Sequence, residues 1–278
     1  MQDAYEHCAR VVSQNDKDRY LASLFIADPA RRHVLALYAL NAEVSAVRDR
    51  TAEPMAGEVR LQWWRDALNG SAAGGYEGNP VAAAIIDTLR GREHWVSELE
   101  NLLEARAFDL YGDPMPSTDA LRGYLKATVS SLFTLAGKMI EGDEERVARA
   151  AEPAGLAYGL CGLLRSVPLH ASRGQIYLPS DRIEAHGARS EDILAGRATP
   201  ELRAALAAFR NDVRRDLAEA NELIAGMTPA VRSAFLPLTL IEPYLAKMDQ
   251  PDYDPFRSLV EIPQWRRQWR LWRASRLS

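Results

Sequence analysis

Cysteine is almost missing from these 278 residues: Cys8 and Cys161 are too few for a disulfide framework and too far apart in sequence to read as a metal pair. That usage fits a reducing compartment. No uncharged apolar stretch approaches the roughly 18 residues that a membrane-spanning helix needs. Basic charge is not in excess either. The chain has 34 Lys and Arg against 38 Asp and Glu, a net charge of −4, and with pI ≈ 5.8 no nucleic acid partner is expected. The first twenty residues carry Asp3, Glu6, Asp16 and Asp18 and no apolar run, so they read as neither a secretory signal nor an acid-poor transit peptide. This start fits a bacterial cytoplasm better than an imported organelle protein. Runs alternating with period two are lacking, which leaves a sheet without support. What remains is an ordinary globular balance, 47% hydrophobic and 26% charged, and it argues against disorder.

Helical spacing fills the chain. Asp28-Pro29 reads as an N-cap followed by a first-turn proline, and Val34, Leu35, Leu37, Tyr38 and Val44 then recur at three- and four-residue steps. A second helix opens at Pro54, carries Val59, Leu61, Trp63 and Trp64, and stops at Asn69-Gly70. Residues 71–80 form a glycine-bearing loop, after which Pro80 reopens a helix. Further helices are expected from Gly91 to Leu110, Ser117 to Met139, Glu144 to His170, Pro200 to Ile224 and Thr228 to Met248. Pro168 should kink or end its helix nearby. Trp63 and Trp64 cannot both face inward, so one marks a groove, a loop contact or a partner surface. The interruptions at 112–117 and 173–181 are short and no fixed-period repeat exists, which favours one all-α domain over residues 1–278.

The end of the chain differs from everything before it. Residues 264–278 hold Trp265, Trp269 and Trp272 with Arg266, Arg267, Arg270, Arg273 and Arg276, and no acid. The tryptophans fall at i, i+4 and i+7 on one helical face, and Arg266, Arg270 and Arg273 form a neighbouring one. Three readings stand: a Trp face that closes the core, a membrane-surface helix, or a partner helix rich in interface-type residues.

Two segments carry more than fold. Residues 18–49, DRYLASLFIADPARRHVLALYALNAEVSAVRD, resemble the N-terminal signature of squalene and phytoene synthases, and residues 155–179, GLAYGLCGLLRSVPLHASRGQIYLP, resemble the second. Arg60 to Arg65 and Asp109-Leu110 lie where that family has similar helices. The resemblance implies the isoprenoid synthase fold, an all-α bundle around a deep central cavity. It also implies head-to-head joining of two prenyl diphosphates, each held through Mg²⁺ by carboxylates on facing helices. With Tyr38 on the family tyrosine, the first acidic block falls on Ser45, Ala46 and Asp49; with Arg165 on the family arginine, the second falls on Ser166, Leu169 and His170. One acid of the first block remains and none of the second. Mg²⁺ is a hard cation held by few carboxylates, so each one counts.

The expected chemistry is therefore weak. No cofactor and no intact metal site are expected, although Asp49 and Glu53, also four apart, offer a shifted Mg²⁺ pair under the alternative of a working prenyl transferase. Arg31, Arg32, Arg48 and Arg165 remain candidates for a phosphate or lipid headgroup, with Tyr38, Asp49 and Tyr177 beside them in the cavity. Arg165 needs an acceptor, either a phosphate or an internal carboxylate such as Asp49. His170 reads as a metal ligand, a general base or a hydrogen-bonded helix-end residue. The blocks from Leu164 to Arg173, Tyr177-Leu178-Pro179, Leu240 to Leu245, Pro251 to Phe256 and Trp272-Arg273 resemble the complex I assembly factor 6 branch of the same superfamily. That branch implies a protein without catalysis, a respiratory complex subunit as partner, a possible lipid or prenyl ligand, and a cytoplasmic place at the inner membrane face. A plain lipid-binding module is the third alternative.

Overall fold

The computed structural model describes every residue except 52, 74, 141, 142, 277 and 278. Position 74 of the expected loop and the last two positions of the basic segment thus lie outside the described residues. Among those described there is no strand, and no helix is long and apolar enough to cross a membrane. In chain order the helices are α1 (Gln2–Asn15), α2 (Lys17–Ser23), α3 (Ala30–Ser45), α4 (Val47–Arg50), α5 (Pro54–Leu68), α6 (Pro80–Leu89), α7 (Val96–Arg106), α8 (Thr118–Leu125), α9 (Ser131–Met139), α10 (Glu144–Arg165), α11 (Val167–Ser172), α12 (Ser180–Ala185), α13 (Ser190–Leu194), α14 (Pro200–Ala225), α15 (Pro229–Arg232), α16 (Ile241–Met248) and α17 (Gln264–Arg276).

Local chemistry accounts for most boundaries. Pro54 and Pro80 sit in the first turns of α5 and α6, where a missing N–H costs nothing, and Asn79 accepts from two free N–H groups of α6. Asp16 caps α2 through the Arg19 N–H (3.0 Å), making a helix start that carries no apolar periodicity. Asp28 does not cap α3: Pro29 holds the cap position without a side-chain bond, and Asp28 pairs with Arg31 instead. The expected helix from Thr228 to Met248 divides into α15, a 3₁₀ run over Ser233–Leu240 and α16, because Pro237 cannot supply an interior N–H.

The long helix α10 packs against α14 and α9, while α1 lies against α3 and α6. Trp64, Phe133, Phe209, Tyr244 and Leu61 are fully buried and fill the spaces between helices. Of the tryptophan pair, Trp64 is the inward one, and Trp63 meets its ring edge-on at 5.1 Å. A Cβ on Gly155 would collide with the Ser130 backbone, so α10 approaches this point at a distance only glycine allows. There the chain between α8 and α9 widens into one π-helical turn, Lys126–Ser130, with Tyr124 just before it.

Candidate functional site

Both motif helices break at the motif. Helix α3 stops at Ser45, Ala46 turns, and α4 continues only to Arg50; α10 stops at Arg165, Ser166 turns, and α11 begins with Pro168 in its first turn. The two breaks face each other, since Asp49 on α4 pairs with Arg173 just beyond α11 at 2.8 Å. Ser45 donates back into its own helix at Ala42 O, Ala46 has no donor atom to offer, and Leu169 is exposed. His170 lies 4.6 Å from the Tyr177 ring, and burial pushes its pKa down to about 4, so it is neutral at pH 7. Thr51 is extended and Glu53 is the exposed cap residue of α5, so Asp49 and Glu53 do not share a helix. The expected shifted Mg²⁺ pair therefore lacks the shared helix face that i, i+4 spacing would give it. One carboxylate already held by a guanidinium, a hydroxyl turned inward and a neutral imidazole do not fit a hard cation that needs several free oxygens. Among the described residues no group of three acidic, His or Cys side chains is placed to hold a metal.

Arg165, the last residue of α10 at its break, also belongs to an array of cations and rings. Arg19 on α2 sits between the Tyr38 and Tyr158 rings, 5.1 and 4.9 Å from their centroids, and pairs with Asp16 at 3.3 Å. Arg165 lies 3.5 Å over the Tyr244 ring and 3.7 Å from Asp18. Tyr244 Oη donates to Asp18 Oδ2 at 2.7 Å, and it accepts from Arg267 Nη2 at 3.1 Å. Arg267 Nε comes within 2.8 Å of Asp18 Oδ1, close enough for charge attraction though not aligned as a hydrogen bond. One carboxylate therefore stands between two guanidiniums and a phenol. Asp18, Tyr158, Arg165, Tyr244 and Arg267 line a cavity of ≈ 320 Å³ with Asp16 and Cys161 among its other walls, and Arg19 and Tyr38 lie behind that lining. The buried Nε atoms of Arg19 and Arg165 have no partner among the described residues, so the array holds unused donors.

A second carboxylate organises the neighbouring interior. Asp109 accepts from Tyr124 Oη and Tyr177 Oη, both at 2.8 Å, and from Arg106 Nη1 at 3.0 Å. Arg106 also donates to Tyr124 Oη at 2.8 Å and to Asn41 Oδ1 at 3.3 Å, while Gln175 reaches the Asp109 carbonyl at 2.9 Å. Burial opposes the Arg106 charge, yet the Tyr124 and Asp109 oxygens outweigh it and hold its pKa above the ordinary value. Burial drives Tyr177 and Tyr124 far up, so both stay as phenol donors.

The expected candidates are thus dispersed. Arg165 meets an internal carboxylate, but it is Asp18 and not Asp49. Tyr38 is buried under Arg19, its hydroxyl pushed up to about 12 by that burial. Tyr177 belongs to the Asp109 cluster. Arg31 is held by Asp28 near the surface, Arg32 lies 5.3 Å over the Tyr5 ring, and part-buried Arg48 has no ion pair or hydrogen bond among the described residues. Asp18, Arg19, Arg106, Asp109, Tyr124, Tyr158, Tyr244 and Arg267 were not expected as site residues. The run Asp16-Lys17-Asp18-Arg19 beside an apolar segment is the one local signal that could have marked part of the group.

The reading of α17 as a core-closing Trp face is overturned. Trp265, Trp269 and Trp272 are 64%, 50% and 51% exposed, while Leu271 and Arg267 turn inward. Only one large apolar side chain, Leu271, lies on the side that meets the 3₁₀ run and α2.

Helix order, facing motif breaks and a polar interior define an all-α bundle of the isoprenoid synthase type. Its likeness to a solved dehydrosqualene synthase in complex with ligand agrees, at TM-score 0.86 and 18% identity over 99% of this chain and 96% of that one. The chain belongs to the squalene/phytoene synthase family, whose model matches residues 12–273. It is similar to NADH dehydrogenase (ubiquinone) complex I, assembly factor 6 of Rattus norvegicus, 27% identical over 259 residues, which cover 93% of this chain and 78% of that protein. It is also similar to 15-cis-phytoene synthase of Synechococcus elongatus, 25% identical over 284 residues, 96% and 91% of the two chains.

Proposed function

We propose that this family member does not join prenyl diphosphates and instead acts in the assembly of respiratory complex I, with a lipid or prenyl group as the ligand of its interior pocket. Its place is the cytoplasm, at the inner face of the membrane that holds the complex, and its partner is a subunit of that complex. The observation that carries the reading is the pair of facing motif breaks: the remaining acid, Asp49, is engaged by Arg173, and the opposing position is a neutral His170. Ionising a diphosphate needs its departing negative charge stabilised by metal or by free cations aimed at it, and these positions supply neither. Similarity to assembly factor 6 proteins over most of the chain supports the assembly role.

A prenyl transferase remains the second reading, favoured by two arginines and two tyrosines around one cavity and by the similarity to a phytoene synthase. Incubation with Mg²⁺ and labelled farnesyl or geranylgeranyl diphosphate separates the two. No diphosphate release is expected, and a head-to-head product would sink the assembly reading. In cells that contain the complex, deletion should lower NADH dehydrogenase activity, and the tagged chain should recover a dehydrogenase subunit. Intact complex in the deletion strain would count against the role.

A further inference from the structure

The two sides of α17 are chemically opposite. At 3.6 residues per turn, Trp265, Trp269 and Trp272 share one stripe, and Leu271 and Arg267 lie on roughly the other side of the helix. The inner side is fixed: Leu271 has no exposed surface, and Arg267 reaches Asp18 and Tyr244. The outer stripe points away from the protein. Buried tryptophans normally stabilise a core, so three of them half or more exposed at helical spacing make an uncovered apolar face.

Each ring carries its own cation. Arg266 lies over Trp265, Arg273 over Trp269 and Arg276 over Trp272, with guanidinium-to-centroid distances of 5.2, 5.4 and 5.7 Å. Arg270 is exposed beside them, and α17 contains no acid among its described residues. Leu259, 77% exposed, precedes the helix. Arginine keeps its charge at any physiological pH, and its weakly hydrated plane binds phosphate through paired hydrogen bonds. Indole rings favour the boundary between headgroups and acyl chains. A convex stripe of rings flanked by guanidiniums complements a flat anionic surface with an apolar layer just beneath it.

We propose that α17 is a membrane-docking helix that lies in the plane of an anionic phospholipid surface, with Trp265, Trp269 and Trp272 at the acyl boundary and Arg266, Arg270, Arg273 and Arg276 on lipid phosphates. The proposal rests on the placement of the chain at a membrane and names the surface that meets it. Its strength comes from two sources, apolar burial of the rings and attraction to anionic lipid, so loss of either should weaken it strongly.

Flotation of the purified full chain tests this with vesicles of phosphatidylcholine alone and of phosphatidylcholine mixed with phosphatidylglycerol. The chain should float with the anionic vesicles, about tenfold or more better than with the neutral ones, and added salt should release it. A W265A/W269A/W272A variant should lose about tenfold or more in binding, and an R266E/R270E/R273E variant about a hundredfold. All six side chains are exposed, so thermal unfolding of both variants should match the parent, which separates lost docking from lost folding. Equal binding to neutral vesicles, no binding at low salt, or unchanged binding by the Trp variant would overturn the proposal. So would sedimentation showing a dimer that the Trp variant dissolves, because the stripe would then be covered by a second copy. An acidic protein that competes for the stripe while vesicles do not bind would overturn it as well. If the chain restores complex assembly in a deletion strain but never floats, the α17 role fails alone; if it floats and deletion leaves the complex intact, the assembly role fails alone.

Discussion

Two buried carboxylates organise the interior in different ways. Asp109 meets one guanidinium and two phenols, with each carboxylate oxygen engaged. Asp18 meets two guanidiniums and one phenol on the wall of an open cavity, and its Oδ1 accepts no hydrogen bond among the described residues. The first cluster is balanced in charge, one guanidinium to one carboxylate. The second carries one positive charge more than its acid neutralises. A balanced buried network fixes one conformation, whereas an excess of cation on a cavity wall leaves capacity for an added anion. The two regions share a composition of Arg, Tyr and Asp, and the ratio separates scaffold from site.

That contrast can be broken in stages. The largest expected effect is Asp109→Ala, which leaves Arg106 buried without its counter-charge and two phenols without their acceptor; urea unfolding should show a loss of about 3–5 kcal/mol. Asp18→Asn should cost less, about 2–3 kcal/mol, since Arg165 is partly solvated and the amide keeps an acceptor for Tyr244. Inorganic diphosphate should then raise the unfolding midpoint of that variant more than that of the parent. Equal costs at the two positions with no response to diphosphate would erase the distinction between them.

A third test uses pH. His170 titrates near 6.5 when unfolded and at about 4 in the fold, because burial disfavours its charge. The unfolded chain therefore takes up the proton first. The His170 contribution is constant above pH 6.5, stability falls as pH drops from 6.5 to 4, and the loss levels off below that at about 3 kcal/mol. As pH falls through that window the parent should lose stability relative to His170→Gln, as read from their denaturation midpoints. The smallest effect is Tyr177→Phe, which removes one of three donors to Asp109 and should cost about 1 kcal/mol in the same unfolding assay.

What sequence made legible was local. The span of α5 follows from Pro54 and Asn69-Gly70, and the break before α11 follows from Pro168. The loss of the facing acid pairs was also readable, because it depends on residue identity at four-residue spacing along one helix. The occupant of the arginine site was not, since Tyr244 and Asp18 are 226 positions apart and no periodicity links them. The cluster around Asp109 failed for the same reason: Tyr124 and Tyr177 come from separate segments. The α17 stripe follows from spacing, but which side turns inward depends on Arg267, a charged residue that spacing alone assigns to solvent.

The Asp18–Arg267 pair also sets an order of events. It joins α2, near the beginning of the chain, to α17, near its end. A contact of such sequence separation closes a very large loop, so its entropy is recovered late. During synthesis the cavity lacks one wall and its second guanidinium until residue 267 has left the ribosome, while α2 and α10 can already have met. The site is therefore the last part of the molecule to be completed, and the helix that completes it is the one that carries the exposed tryptophans.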